Sequence, residues 1–293
     1  MGFLFQRKSS TPPPDPTAVG AALCRLLEQS EPSSQRLFRD SVVESLLGPR
    51  AGPALSFGPA TMMRGLMDAD APGLYGSMVC RTRYIDDAVI HALGHGISHV
   101  AIVGAGYDTR AYRLPGIDRV WVSEFDLPAT LNHKRQAVEA RLGRLPERIA
   151  YLELNLESAD AVTAFTDAGV APTERTMVIC EGVTQYISDS AVDRLLAATG
   201  ALCQGSELVF TYVLDSVIRE TDGMAAAARS LARGGPKWVF GMAPSRVPTL
   251  LGEFGLSLIE DVGAKEFQER YLAPIGRGLA VSPYERIVRA VVA

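Results

Sequence analysis

The feature that most limits what this chain can fold into is an alternation. Short apolar runs at "HVAIVG" (99–104), "RVWVSEFD" (119–126), "RIAYLEL" (148–154), "TMVICEG" (176–182) and "ELVFTYV" (207–213) are separated by helix-patterned segments such as "PATLNHKRQAVEARLG" and "SAVDRLLAATGALC". Strands that alternate with helices predict a mostly parallel sheet covered on both faces, an α/β fold. Two further strand candidates, "LSLIEDV" (256–262) and "ERIVRAVVA" (285–293), follow with no long helix between them, so the sheet is expected to close on an antiparallel last strand and to hold seven strands.

Around this core the chain divides into a polar, proline-rich lead-in (1–16) read as disordered, a helical cap (17–76), the core (77–214), an Ala- and Gly-containing insertion (215–247) and a C-terminal helix with strands (248–293). The cap carries helical patterns at 18–29 and 34–48, the second ending on a glycine suited to close a helix. In "RYIDDAVIHALGHG", Ile85, Val89, Ala92 and Leu93 recur on one helical face. A net charge of -4 without a basic run leaves no footprint for nucleic acid. The four cysteines form no CxxC pair, which argues against a zinc knuckle and a disulfide framework and fits a reducing cytoplasm. No apolar stretch approaches the ~20 residues of a membrane helix, and the N-terminal "FLF" is too short for the core of a signal peptide.

The chemistry gathers at strand ends. "HVAIVGAGYDTRAYRL" runs from a strand into Gly104 and Gly106, where the missing Cβ lets a ligand approach the backbone. A dinucleotide fingerprint needs a third glycine three residues after the second, and that position is Thr109. The turn therefore suits an adenosine ligand without a pyrophosphate, of which S-adenosylmethionine is one. Glu124 and Asp126 fall on one face at the end of the next strand, about 20 residues past the glycines, placed to accept ribose hydroxyls. Asn155 and Leu156 offer an amide and a backbone N–H to an adenine edge, and Glu181 with Gly182 ends the fourth strand. Taken alone, the turn reads equally as a plain strand-to-helix connection with Asp126 capping the helix opened by Pro128.

The ordered set "RTRYIDDAV" (81–89), "GAGYDTRAYRL" (104–114), "EFDLP" (124–128), "NL" (155–156), "EGVTQYIS" (181–188) and "RYLAPIGR" (270–277) resembles the class I S-adenosylmethionine-dependent methyltransferases of the leucine carboxyl methyltransferase type, above all their bacterial branch. The resemblance implies a Rossmann-like fold in which Arg81 grips the cofactor's methionine carboxylate, Gly104 and Gly106 line its methionine end, and Asp126 holds the ribose. It further implies that Asn155 with Leu156 meets the adenine and that Glu181 lies beside the cofactor. The family often has Asp where this chain has Asn155.

A sulfonium methyl is already activated, so transfer needs in-line placement and no metal. A carboxylate acceptor, with pKa near 4, is ionised at neutral pH and needs no base, whereas a phenol near 10 would benefit from one. No base stands out: His133 sits in a basic helix, and His91, His95 and His99 lack the Cys or carboxylate that would complete a metal site. Tyr186 and Tyr212 follow strand ends and are the candidates for positioning the acceptor, with core packing the expected role of at least one of them, while Arg110 and Arg113 are expected to pair with nearby acids. The expected activity is O-methylation of a carboxylate or hydroxyl on a small, natural-product-like molecule, under a lid made by the N-terminal helices and the 215–247 insertion. A NAD-dependent oxidoreductase and a non-catalytic cofactor-binding protein are the competing classes; the expected partner is a small-molecule acceptor, with a homodimer as the candidate assembly.

Overall fold

The protein is described by a computed structural model over residues 16–48, 60–219 and 237–293. Seven strands form one sheet in the order β3-β2-β1-β4-β5-β7-β6. They are β1 His99–Val103, β2 Trp121–Asp126, β3 Ile149–Glu153, β4 Thr176–Cys180, β5 Glu207–Val213, β6 Leu256–Val262 and β7 Glu285–Val292. β1 to β5 pair in parallel, and β7 runs antiparallel between β5 and β6. Every residue of β1, β4 and β5 is buried. That is why their sequences are continuous apolar runs rather than alternating ones.

The helices are α1 Pro16–Glu28, α2 Val43–Leu47, α3 Ala60–Asp70, α4 Leu74–Gly94, α5 Arg110–Arg113, α6 Pro128–Leu142, α7 Ala161–Asp167, α8 Asp189–Gly200, α9 Asp215–Ile218, α10 Val247–Glu253 and α11 Ala264–Phe267. They cover both sheet faces. Val100 and Ile102 share a core with Ile85 and Val89 of α4, while Ala101 and Val103 share one with Leu195 and Leu196 of α8. Strand order reverses between β1 and β4, and an open α/β sheet has its binding crevice outside the carboxyl ends at such a switch.

The cap departs from its helical pattern. Of the segment 34–48 only Val43–Leu47 is helical, because two buried acids capture its backbone donors. Asp40 Oδ1 accepts from the N–H groups of Val42 and Val43, and Glu28 Oε1 accepts from that of Leu37 at 2.7 Å. Side chains that bond nearby backbone in this way compete with helix formation. α4 in turn begins at Leu74, well before the periodic stretch that announced it. The lead-in 1–15 and residues 220–236 of the insertion lie outside the described residues.

Glu28 also ties the cap to the C-terminal tail. Arg277 grips its two oxygens at 2.7 and 2.8 Å, and Tyr75 donates to Oε2 at 2.8 Å. Glu28 is completely buried, so removing the guanidinium strands a charge away from water. Arg277→Met is expected to lower unfolding free energy by about 3–5 kcal/mol in denaturant titration, with loss of the cap's contacts visible as faster proteolysis within residues 28–48.

Candidate active site

A cavity of about 670 Å³ opens at the carboxyl ends of the central strands. Gly104, Ala105 and Gly106 after β1, Asp126 at the end of β2, Leu154 to Glu157 after β3 and Glu181 with Gly182 after β4 all line it. Gly104 and Gly106 have φ of +70° and +41°, the left-handed region open to glycine. A Cβ on Gly104 would also lie 2.2 Å from Val183 Cγ2, so the turn has room for no side chain there. Gly106 N–H donates to Asp126 Oδ2 at 2.6 Å, across the 20 residues that separate turn and acid. The N-cap of α6 is Leu127, which makes no side-chain cap bond, and Asp126 accepts from the Leu127 N–H through Oδ1 at 2.6 Å while its Oδ2 takes the turn's Gly106 N–H.

The floor of the cavity is a buried lattice of charge. Arg81 binds Glu181 through Nε at 2.7 Å and Glu285 through Nη1 at 2.5 Å. Arg110 binds Asp86 at 2.8 Å, Asp108 at 2.5 Å and Glu181 at 2.5 Å. Arg113 completes Asp86, as the local pairing of these arginines predicts. Burial opposes the charge on Glu181, but the guanidiniums of Arg110 and Arg81 outweigh it and hold the carboxyl well below the usual carboxylate range. Burial pushes the Glu285 carboxyl up against the pull of Arg81. Five carboxylates (Asp108, Asp126, Glu157, Glu181, Glu285) and two guanidiniums (Arg25, Arg81) line the cavity among the described residues.

Two sequence candidates lie elsewhere. Glu124 is completely buried behind the turn, bonded to Lys134 at 2.8 Å and to Tyr112 at 3.1 Å, and does not reach the cavity. Its side chain follows the β2 pleat as Asp126 does, but it sits two residues deeper, where α6 covers the sheet. Burial lifts its pKa to about 7 despite Lys134. Tyr212 is also buried and donates to Asp261 at 2.8 Å on the β6 side, outside the cavity lining. Tyr186 does line the cavity. Asn155 lines it too, while its Oδ1 accepts from the Glu157 N–H at 3.0 Å and braces the loop.

His91 and His95 stack on each other, His99 bonds Ser123, and no cluster of metal-binding side chains occurs among the described residues. The site also contains residues that local patterns did not single out. Glu285 at the start of β7 and Tyr284 beside it reach the cavity because β7 is inserted next to β5. Thr17, Ala18, Gly20, Ala21, Cys24 and Arg25 of α1 line it from above, together with Met67, Met78 and Trp238. Only the tertiary fold brings these together. Lys134 is completely buried, although its neighbours Asn132, Arg135 and Gln136 are exposed; a lysine in a "basic helix" gives no sequence signal of that.

A seven-stranded sheet of this order with its cavity at the β1/β4 switch is the core of a class I methyltransferase. The sequence profile of the leucine carboxyl methyltransferase family matches residues 18–200, and the chain belongs to that family. A Frankia alni protein named "Putative S-adenosyl-L-methionine-dependent methyltransferase" is 33% identical over 225 residues, 75% of this chain and 77% of its own length. A second from the same organism, with the same description, is 30% identical over 243 residues, 80% of each chain. Two solved structures share the fold. One is titled a "putative methyltransferase" from Thermobifida fusca, with TM-score 0.55, 20% identity and coverage of 91% and 97%. The other is a duf574 family protein from Streptomyces avermitilis, with TM-score 0.58, 18% identity and coverage of 91% and 99%.

The lattice fixes the acid limb of stability. A carboxyl whose native pKa is depressed stabilises the fold fully above its unfolded value and loses that contribution as pH falls toward the native value. Glu181 and Asp108 are both depressed. Glu181→Gln should therefore cost roughly 2–4 kcal/mol near neutrality, and the difference from wild type should shrink as pH drops below about 4.5, read by denaturant titration across pH. Gly104→Ala should cost about 1–3 kcal/mol for the left-handed backbone alone, with further loss from Val183, measured by thermal unfolding.

Proposed function

We propose that this S-adenosylmethionine-dependent methyltransferase transfers the sulfonium methyl to a carboxylate or hydroxyl oxygen of a small, natural-product-like molecule. The observation carrying the cofactor assignment is the charge of the cavity: carboxylates outnumber guanidiniums five to two along its whole lining among the described residues. Such a site attracts a ligand with a sulfonium and an ammonium, and it repels a pyrophosphate. Thr109 fits the same reading. It is buried, it donates to Asp40 at 2.6 Å, and it fills the place where a dinucleotide turn needs its third glycine. The NAD-dependent alternative is correspondingly disfavoured.

The residues present suit the cofactor's parts. Arg81, beside Gly182 and Glu181, would meet the methionine carboxylate, the Gly104–Gly106 turn the methionine end, Asp126 the ribose hydroxyls, and Asn155 with Leu156 the adenine edge. When bound, the cofactor supplies a methyl group already activated for displacement. The chain's own task is alignment and exclusion of water, which can account for ~7–11 kcal/mol of barrier lowering. The acceptor end has apolar walls from Met67, Leu74, Met78 and Trp238, with Tyr186 and Tyr284 beside them. Those walls favour a largely apolar acceptor presenting one polar group, and Tyr186 is the residue proposed to orient it. Helix α1 and the segment carrying Trp238 are proposed as the lid over that acceptor.

Titration calorimetry with S-adenosylmethionine, S-adenosylhomocysteine and NAD tests the assignment. The first two are expected to bind and NAD is not; binding of NAD alone would reverse the reading. Asp126→Ala should weaken S-adenosylhomocysteine by about 1–3 kcal/mol, the scale of lost charge-assisted hydrogen bonds. Assay of a panel of acids and phenols, with methyl esters and ethers resolved by mass, separates the two acceptor classes.

A further inference from the structure

We infer that Lys134 is a positioning residue for the cofactor, acting through the single peptide that joins Ala105 to Gly106. The inference rests on the reading of that turn as the cofactor's seat. Lys134 lies two turns into α6 and does not itself line the cavity. Its ammonium is completely buried, 2.8 Å from Glu124 Oε2, and it donates to the Ala105 carbonyl at 3.2 Å. That carbonyl also accepts from the Asp108 N–H at 2.7 Å.

The other end of the same peptide is the Gly106 N–H, which donates to Asp126 Oδ2 at 2.6 Å. A trans peptide is planar and points its C=O and N–H in opposite directions. Holding the carbonyl down on Lys134 therefore aims the N–H up at Asp126. The Asp108 N–H holds the same carbonyl from within the turn, and Lys134 adds a second donor from α6, so the peptide is fixed to the helix as well as to its own turn. Lys134 thus sets the carboxylate proposed to bind ribose without approaching the ligand.

Stability alone is a poor reason for this buried pair. Apolar replacements of buried ion pairs are often neutral or stabilising. Here the pair is also imperfect, because Glu124 Oε1 is buried with no hydrogen-bond partner. What the ammonium supplies that an apolar side chain could not is a donor to the Ala105 carbonyl.

Lys134→Met alone would leave the Glu124 charge stranded, so the test uses the charge-neutral pair Glu124→Gln/Lys134→Met, whose glutamine can still accept from Tyr112. In the ligand-free protein, amide hydrogen exchange at Gly106 should be faster in the pair variant than in wild type. Calorimetry with S-adenosylhomocysteine should show about ten-fold weaker binding, the effect of losing roughly one net hydrogen bond. In an Asp126→Ala background the same pair should cost less than about three-fold more, because the two residues act through one peptide. Unchanged affinity, full additivity with Asp126→Ala, or wild-type exchange at Gly106 would each overturn the inference. Wild type that fails to bind the product would overturn the cofactor reading and the inference with it, whereas variants that merely fail to differ would overturn the inference alone.

Discussion

One buried guanidinium holds the site together. Arg110 binds Asp86 on α4, Asp108 in the glycine turn and Glu181 after β4, and its Nη2 donates to the Thr82 carbonyl. These segments are far apart in sequence and meet at the switch point of the sheet. Because Arg110 is almost wholly excluded from water, each acid around it is needed to offset its desolvation. The turn, the β4 end and the cap helix α4 are therefore fixed relative to one another by charge, and Arg81 extends the same lattice to Glu285 on β7.

That lattice explains why the cavity is acidic. Arg110 and Arg113 are consumed by the structure, with Arg113 braced on Asp86 and Thr109, and neither lines the cavity. Two of the carboxylates that Arg110 supports, Asp108 and Glu181, do line it. A strand-to-helix turn that elsewhere would accept phosphate is here presented with Asp108, Asp126 and Glu181 around it. The four-residue helix α5 after the turn adds no compensating N-terminal site of any length. Chemistry at this crevice is thereby directed toward a cation.

Much of this was legible in the sequence, for reasons that can be named. The strands β1, β4 and β5 are buried on both faces and announce themselves as apolar runs, and the residues at their carboxyl ends fall where the sheet's switch must place a ligand. Asp126 was readable from its distance to the glycines. Glu124 was misread because strand alternation gives the face of a side chain but not its depth beneath a covering helix. Tyr212 takes the core-packing role left open for one of the two tyrosines: its partner Asp261 comes from β6, on the far side of a β7 inserted beside β5, an order that no local pattern reveals. Glu285, Trp238 and α1 reach the site through long-range packing, and Lys134 through burial that a run of polar neighbours conceals.

The most direct test of the account is where the cofactor's product sits. Backbone amide resonances should be followed while S-adenosylhomocysteine is titrated into the wild-type protein. The account predicts saturable shifts at Gly104, Ala105, Gly106, Leu156 and Gly182, with Trp121 and Val122 at the opposite end of the sheet unmoved. Shifts centred on the amino ends of the strands, or none at the glycine turn under saturating ligand, would contradict it.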